Sequence, residues 1–559
     1  MAFEWLNKDA RTFLSRGYIP EGMSAEERIR EIGDKAEAIL DIDGFSETFY
    51  DYMGRGFYSL SSPIWANFGN DRGLPISCNG SYIGDEIASI LEKSAEIGMQ
   101  TKHGAGTSGY FGDIRGRGSA INTGGKADGP VHFMNIFEQI TDVVSQGNVR
   151  RGSFAAYLDI EHPDIEEFLE IREVGHSIQN MSIGICVSDA FMEGLIEQGE
   201  AVKRGDMAAA DAGKLRIWAK VMRKRKESGY PYIFFTDTVN RARPRALKDQ
   251  DRKIHASNLC SEICLPSASD ESFVCNLASM NLDTYDAWRH TDAVRVMTLF
   301  LDAVMSDYIR KTGHLAHMAS PHHFARRWRA IGIGQLGWHT FLQRKRVPFE
   351  SFEAARLASE ISQHIDAASL EASQEMARHY GEPEGLSGYG VRNLTRTAIA
   401  PTTSSSFILG QVSPSIEPLR SNYFVKDLAK GQFTYKNPHL ESVLESYGCN
   451  DQTTWLGILQ SGGSVQHLDC LSQAEKAVFK TFDEISPLTI IQQAAARQTH
   501  IDQSQSLNLL IPPSAEAKEV NQLIIEAWRL GVKTLYYQRS SNPSQELVRD
   551  IMSCGACEA

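Results

Sequence analysis

SIGICVS, residues 182–188, and YPYIFFTD, residues 230–237, read as strands, and a helical stretch separates them. Part of that stretch, GKLRIWAKVMRKRKESG (213–229), reads as a basic helix with a solvated face. Upstream, DEIASILEKSAEIGMQT (85–101) and GPVHFMNIFEQITDVVSQG (129–147) read as amphipathic helices. Between them runs the glycine-heavy loop HGAGTSGYFGDIRGRGSAINTGGKADG, and loops this long tend to carry function. Downstream, VCNLASMNL (274–282) is followed by a long helical region from about 290 to 345 and another at 352–380. NQLIIEAWRLGVKTLYYQ (521–538) reads as a helix running into a strand. Strands alternating with helices predict an α/β fold with a substantial parallel sheet.

The ends differ from this body. Residues 1–60 read as mostly helical: Ser24 and Glu27 form a capping-box pattern, and Ile29, Ile32, Ala36 and Leu40 follow at helical spacing. The loop at 61–80 delivers Cys78 at the end of a short strand. No repeat or linker divides 61–540, which reads as one large catalytic domain. The last residues, 541–559, are polar, contain a proline and end in CGAC, as mobile chain ends do.

Composition excludes several classes. The chain has 559 residues and a net charge of −13, so it lacks the basic footprint of a duplex binder. No apolar run is long enough to span a membrane, and the N-terminus has no secretory pattern. Nine cysteines in 559 residues argue against a disulfide scaffold and for redox or catalytic thiols in a reducing cytoplasm.

ASNLCSEICLPS (256–267) places Asn258, Cys260 and Glu262 at alternating positions. In an extended strand or finger loop these side chains share a face. That face would carry an amide, a thiol able to act as nucleophile or radical carrier, and a carboxylate able to act as general base. A buried cysteine in a strand with polar flanks is the purely structural alternative. Cys78 in LPISCNG and Cys275 in VCNLASMNL lie at other strands. Cys554 and Cys557 form a CxxC pair suited to thiol–disulfide exchange. Zinc is the weaker reading, because the only other close pair, Cys260 and Cys264, would consume the central thiol. Fully extended, the chain from Gln538 to Cys554 spans on the order of 50 Å, enough to reach the centre of a large domain. Tyr536 and Tyr537 are adjacent, and paired phenols can pass an electron and a proton. APTTSSSFILG (400–410) is a hydroxyl-rich turn whose amides and hydroxyls could hold phosphates if it caps a helix.

Together these segments resemble the large (alpha) subunit of the class I ribonucleotide reductases. The resemblance runs from about Ser62 to the C-terminus through SPIWANFG, SCNG, NLCSEI, CNLASMNL, PTTSSS, IEP, KTLYYQ and the terminal CxxC, in the family's order. It implies a ten-stranded α/β barrel with a central finger loop, and reduction of a ribonucleoside diphosphate to its 2′-deoxy form. It implies that Cys260 becomes a thiyl radical, Glu262 is the base at the 3′-hydroxyl, and Asn258 bonds the substrate. Cys78 and Cys275 would be the reducing pair, and Cys554 and Cys557 would reopen their disulfide using a thioredoxin- or glutaredoxin-like reductant. Tyr537 and Tyr536 would relay the oxidising equivalent from a separate metal-containing beta subunit. Thr402, Ser404, Ser405 and Ser406 would bind the diphosphate, and Ser62 and Ser77 would help hold the substrate.

The resemblance also implies a specificity site for a deoxynucleoside triphosphate or ATP. Asp85 aligns with it, Asp113, Ile114 and Arg115 with its first loop, and residues 147–153 with its second. The helices at 85–101 and 129–147 would form an effector-dependent homodimer contact. No cofactor or metal would be held permanently by this chain. Only 77 residues precede Cys78, so the ATP cone of many members is expected to be absent, as in short phage-type forms. A cytoplasmic enzyme is expected, in the host's cytoplasm if viral. The rival within the family is the cobalamin-dependent class, against which the adjacent tyrosines argue.

Overall fold

The computed structural model describes residues 3–122, 124–144, 152–206, 213–428 and 431–540. Strand β1 (Tyr58–Leu60) precedes five strands that lie side by side in parallel. These are β2 (Cys78–Tyr82), β3 (Thr107–Tyr110), β4 (Phe154–Asp159), β5 (Ser182–Val187) and β6 (Tyr232–Phe235). Parallel neighbours need long crossovers. The helices Ile87–Lys102, Pro130–Val143, Ile165–Phe168 and the pair Asp189–Lys203 and Gly213–Ser228 lie in the four crossovers.

The chain then reverses direction. Strand β7 (Phe273–Asn281) runs antiparallel to β2 and parallel to β8 (Ile331–Leu336). Parallel bridges Ile333–Thr397 and Ile399–Gln505 carry the ladder through two short extended segments. The Tyr536 N–H donates to the Leu507 carbonyl at 2.9 Å, and β9 (Thr534–Leu535) lies antiparallel to β6. The sheet therefore closes into a ten-stranded α/β barrel of two five-stranded parallel halves. Residues of β3, β5, β6, β7 and β8 are buried throughout, because helices cover the outside and a loop fills the inside.

That loop is the segment 256–267. Of the two forms expected, it is the finger loop and not the strand: it turns at 259–261, where Ser261 takes a left-handed backbone (φ +69°). Cys78 opens β2 instead of ending a strand. The region 290–345 is not all helical, since β8 interrupts it after the helices Ala293–Thr312 and Ala319–Trp328. Its sequence, IGIGQL, is a short apolar run that periodicity cannot assign. Tight packing settles it: a Cβ on Gly332 would stand 2.4 Å from Leu277 Cδ2. The basic helix Gly213–Ser228 is not simply solvated either, because Trp218, Val221, Met222, Lys224 and Arg225 are buried.

The N-terminal helix Ala25–Leu40 carries the predicted capping box, and Ile29, Ile32, Ala36 and Leu40 are buried. This region shares the barrel's hydrophobic core, and β1 pairs with β7, Tyr58 opposite Met280. A separate small cluster, Leu440 to Phe479, packs beside it.

Candidate active site

The loop 256–267 is strapped from both halves of the barrel. From the first half, Tyr157 Oη donates to the Asn258 carbonyl at 2.8 Å, and Ser108 Oγ to the Ser257 carbonyl at 2.9 Å. From the second, Ser506 Oγ donates to the Cys260 carbonyl at 2.6 Å and Thr534 Oγ1 to the Ser261 carbonyl at 2.8 Å. The Ser504 N–H bonds the Glu262 carbonyl at 2.9 Å. These hydroxyls satisfy loop carbonyls that would otherwise be buried unpaired.

The strapped loop presents Asn258, Cys260 and Glu262 to one cavity. Ser62, Ser77, Cys78, Thr402, Ser404 and Ser405 line the same cavity. Cys275 stands directly opposite Cys78 in the β2–β7 ladder. Opposed residues of an antiparallel pair lie about 4.5–5.5 Å apart at Cα. That falls inside the span a disulfide bridges. Cys78 Sγ lies 3.8 Å from Glu262 Oε1, and Gln503 Nε2 donates to Cys275 Sγ at 3.3 Å.

Burial dominates the electrostatics here. It pushes the Glu262 carboxyl up to about 7, although hydrogen bonds from a backbone amide, Asn258, Ser506 and Cys78 oppose it. Burial likewise pushes the Cys275 and Cys264 thiols up to about 12. Cys275 is therefore a thiol, not a thiolate, near neutral pH. The Ser62 hydroxyl is buried and makes no hydrogen bond, so it retains capacity to bond a guest, while the Asn258 amide faces Glu262.

Thr402 precedes the short helix Thr403–Ile408 in a left-handed conformation (φ +53°), a costly one for a β-branched residue. It is held there by the Ser415 N–H, 2.7 Å from Thr402 Oγ1. The first-turn amides of the helix lack intrahelical partners. Ser406 does not line the cavity; its Oγ sits 3.0 Å from Thr402 Oγ1 and so serves the loop itself.

Tyr536 and Tyr537 have ring centroids 4.2 Å apart, and Tyr536 is buried. Two residues not singled out from sequence join them. Tyr232 packs on both, at 4.7 and 5.1 Å, and Tyr230 bonds Tyr537 phenol to phenol. Other residues missed were Ser59, Ser61, Ser279 and Thr403, which also line the cavity. The run SLSSP at 59–63 held a signal for two of them; Ser506 and Gln503, far along the chain, had none.

At the expected specificity site, Asp85 accepts from Arg115 Nε at 2.6 Å and from the Arg115 N–H at 3.1 Å. Tyr82 Oη donates to Asp113 at 2.6 Å. The Ile114 side chain is buried in the core, its N–H donates to the Phe111 carbonyl at 3.1 Å, and its carbonyl lies 2.8 Å from His162 Nε2. Residues 147–151, Cys554 and Cys557 lie outside the described residues. Among the described residues no cluster of His, Cys, Asp and Glu suits a metal ion, and no helix is long and apolar enough to cross a membrane.

Comparison with known proteins agrees with this architecture. The family model for the ribonucleotide reductase barrel domain matches residues 76–206, 200–388 and 383–538. A Frog virus 3 (isolate Goorha) sequence assigned to the ribonucleoside-diphosphate reductase large subunit is 37% identical, covering 89% of this chain and 88% of that one. The ribonucleoside-diphosphate reductase large subunit of Invertebrate iridescent virus 3 is 34% identical over the same shares. The solved class Id ribonucleotide reductase alpha subunit of Actinobacillus ureae superposes with a TM-score of 0.90 at 50% identity, covering 98% of this chain and 99% of that one. With a closed ten-stranded barrel, a thiol-bearing loop at its centre and relatives matching over nearly its whole length, the chain belongs to the ribonucleotide reductase large-subunit family.

Proposed function

We propose that this chain is the catalytic subunit of a class I ribonucleoside-diphosphate reductase, which makes 2′-deoxyribonucleotides for DNA synthesis. One observation carries the reading: Cys78 and Cys275 are cross-strand partners beside a cavity that also receives Cys260 and Glu262. Two electrons, one hydrogen-abstracting thiol and one base then meet at a single sugar.

In this reading Cys260, as a thiyl radical, takes the 3′ hydrogen of the ribose. Glu262 removes the 3′-hydroxyl proton, and an acid with its affinity near 7 suits that work at neutral pH. The C2′–O bond breaks and water leaves. One thiol of the Cys78–Cys275 pair gives its proton to that leaving hydroxyl and the other gives a hydrogen atom to C2′; as their sulfurs close to a disulfide one electron returns to the sugar, and Glu262 gives its proton back to O3′. Cys260 returns the 3′ hydrogen. The Asn258 amide and the Ser62 hydroxyl orient the sugar. Ser77, Thr402, Ser404 and Ser405 receive substrate, the last three from the cap and first turn of the helix Thr403–Ile408, an arrangement suited to a diphosphate.

Tyr537 and Tyr536 relay the oxidising equivalent from a separate beta subunit, which holds the radical-generating metal. Cys554 and Cys557 reopen the disulfide and are recharged by a thioredoxin- or glutaredoxin-like dithiol. A deoxynucleoside triphosphate or ATP binds around Asp85, Ile114 and Arg115 at a homodimer contact. The exposed Ile87 and Leu91, one turn apart on the helix Ile87–Lys102, favour such a contact. The enzyme would act in the cytoplasm, the host's if the chain is viral.

The test combines the purified chain, a class I beta subunit, a dithiol, and each ribonucleoside diphosphate with each effector. Deoxynucleotide is expected only when the beta subunit is present. Cys260→Ser and Tyr537→Phe are each expected to abolish it while leaving nucleotide binding intact. Turnover by Cys260→Ser would refute the radical role. Full activity of Tyr537→Phe would favour the cobalamin-dependent class instead.

A further inference from the structure

The tyrosine cluster contains two more phenols than the relay above uses, and one of them, Tyr230, is hydrogen-bonded to a relay member. Tyr230 Oη lies 3.0 Å from Tyr537 Oη, a direct phenol–phenol hydrogen bond. The two rings meet edge to face with centroids 5.1 Å apart, and Tyr230 is 1% exposed. Ser182 Oγ approaches Tyr230 Oη at 3.2 Å, and the Arg172 guanidinium sits 5.0 Å above the Tyr230 ring.

The backbone holds this contact firmly. Gly229 takes a positive φ of +82°, and a Cβ there would stand 3.0 Å from the Gln538 carbonyl oxygen. That close approach lets the Gln538 N–H donate to the Gly229 carbonyl at 3.2 Å. Arg225, fully buried, donates to the carbonyls of both Pro231 and Tyr536. The segments bearing the two phenols are thus clamped on both sides of the hydrogen bond. A buried tyrosine placed for packing alone needs its hydroxyl satisfied, and Ser182 would do that. Packing does not explain a second phenol aligned on Tyr537.

We propose that Tyr230 is a third redox member of the relay, exchanging a hydrogen atom with Tyr537. The proposal rests on the reading of Tyr537 given above. In this step the Tyr537 phenoxyl takes one electron and one proton from the Tyr230 phenol. Tyr537 becomes a phenol again and Tyr230 becomes the phenoxyl. The O–H bond at Tyr230 breaks as the O–H bond at Tyr537 forms, and the reverse step restores both. The two ends are chemically identical, so the exchange has little intrinsic driving force either way. The oxidant throughout is the radical of the beta subunit. The oxidising equivalent is thereby shared between the buried Tyr230 and the half-buried Tyr537 before it moves through Tyr536 toward Cys260.

The test replaces Tyr230 with 3-aminotyrosine, which oxidises more easily and traps the radical. The full chain is mixed with a beta subunit that supports wild-type turnover, together with substrate and effector. Electron paramagnetic resonance is expected to show an aminotyrosyl radical at position 230 as the beta radical decays. The same probe at position 537 is the control. Separately, Tyr230→Phe is expected to lower kcat at least tenfold with KM unchanged. A radical at 537 with none at 230 would overturn the proposal and leave the role of Tyr537 standing, whatever Tyr230→Phe does to kcat. Full kcat in Tyr230→Phe would overturn it as well. No radical at either position would remove the underlying reading of Tyr537, and this proposal with it.

Discussion

Replacing Glu262 with Gln separates what this carboxyl does for folding from what it does for chemistry. Its proton affinity is raised from the ordinary 4.5 to about 7, chiefly by burial. Below about pH 4.5 the carboxyl is protonated folded or unfolded, so it contributes no pH dependence. Between about 4.5 and 7 the folded chain keeps a proton that the unfolded chain releases, so stability falls as pH rises. Above about 7 the loss is complete and constant, on the order of 3 kcal/mol. Glutamine has the same size and no charge to bury. Glu262→Gln is therefore expected to gain stability over wild type at about pH 8, by up to that amount, and little at about pH 4.5. Urea unfolding at the two pH values, with equal slopes, measures the difference. In the same variant kcat is expected to drop by about 10²–10⁴, as for loss of a general base. The wild-type kcat/KM is expected to rise with pH through an inflection near 7. Equal destabilisation of Glu262→Gln at both pH values, or a wild-type profile flat across neutral pH, would refute the reasoning.

The two reducing thiols should differ in reactivity, since Cys78 is half-buried while Cys275 is fully buried and held protonated. Iodoacetamide near pH 8 should label Cys78 well before Cys275, read by peptide mass, and simultaneous labelling would count against the closed barrel wall. Gly80 lies opposite Phe273, where an added Cβ would meet Phe273 Cζ at 2.1 Å and Ser108 Oγ at 2.7 Å. Gly80→Ala should lower stability by about 1–3 kcal/mol through overpacking, seen as a lower urea midpoint. Arg225→Met removes the clamp on the Pro231 and Tyr536 carbonyls. It should cut kcat with nucleotide affinity unchanged, measured by turnover and equilibrium dialysis, and an unaltered kcat would argue that the clamp does not position the tyrosines.

The α/β class, the helical N-terminus with its capping box, and strands at 182–188 and 230–237, formed as Ser182–Val187 and Tyr232–Phe235, were legible in the sequence alone. Those signals are local, written in periodicity and caps over a dozen residues. The sequence also brought Asn258, Cys260 and Glu262 to attention. Alternation in an extended strand or finger loop brings them to one face, and it is a finger loop that forms: it turns at Ser261 and still aims all three into one cavity because hydroxyls from both half-barrels strap it. Only the tertiary structure decided that β8 is a strand, since the tight fit of Gly332 between β7 and the segment around Ala398 comes from chain some 60 residues away on either side. Only the closure of the barrel set Cys78 opposite Cys275, nearly 200 residues apart, and lifted Glu262 to about 7 by shutting out water. Tyr230 meets Tyr537 for the same reason: β6 and β9 become neighbours only when the ring closes. Register between distant strands and the dielectric around a carboxyl are properties of the assembled barrel, and no window of sequence contains them.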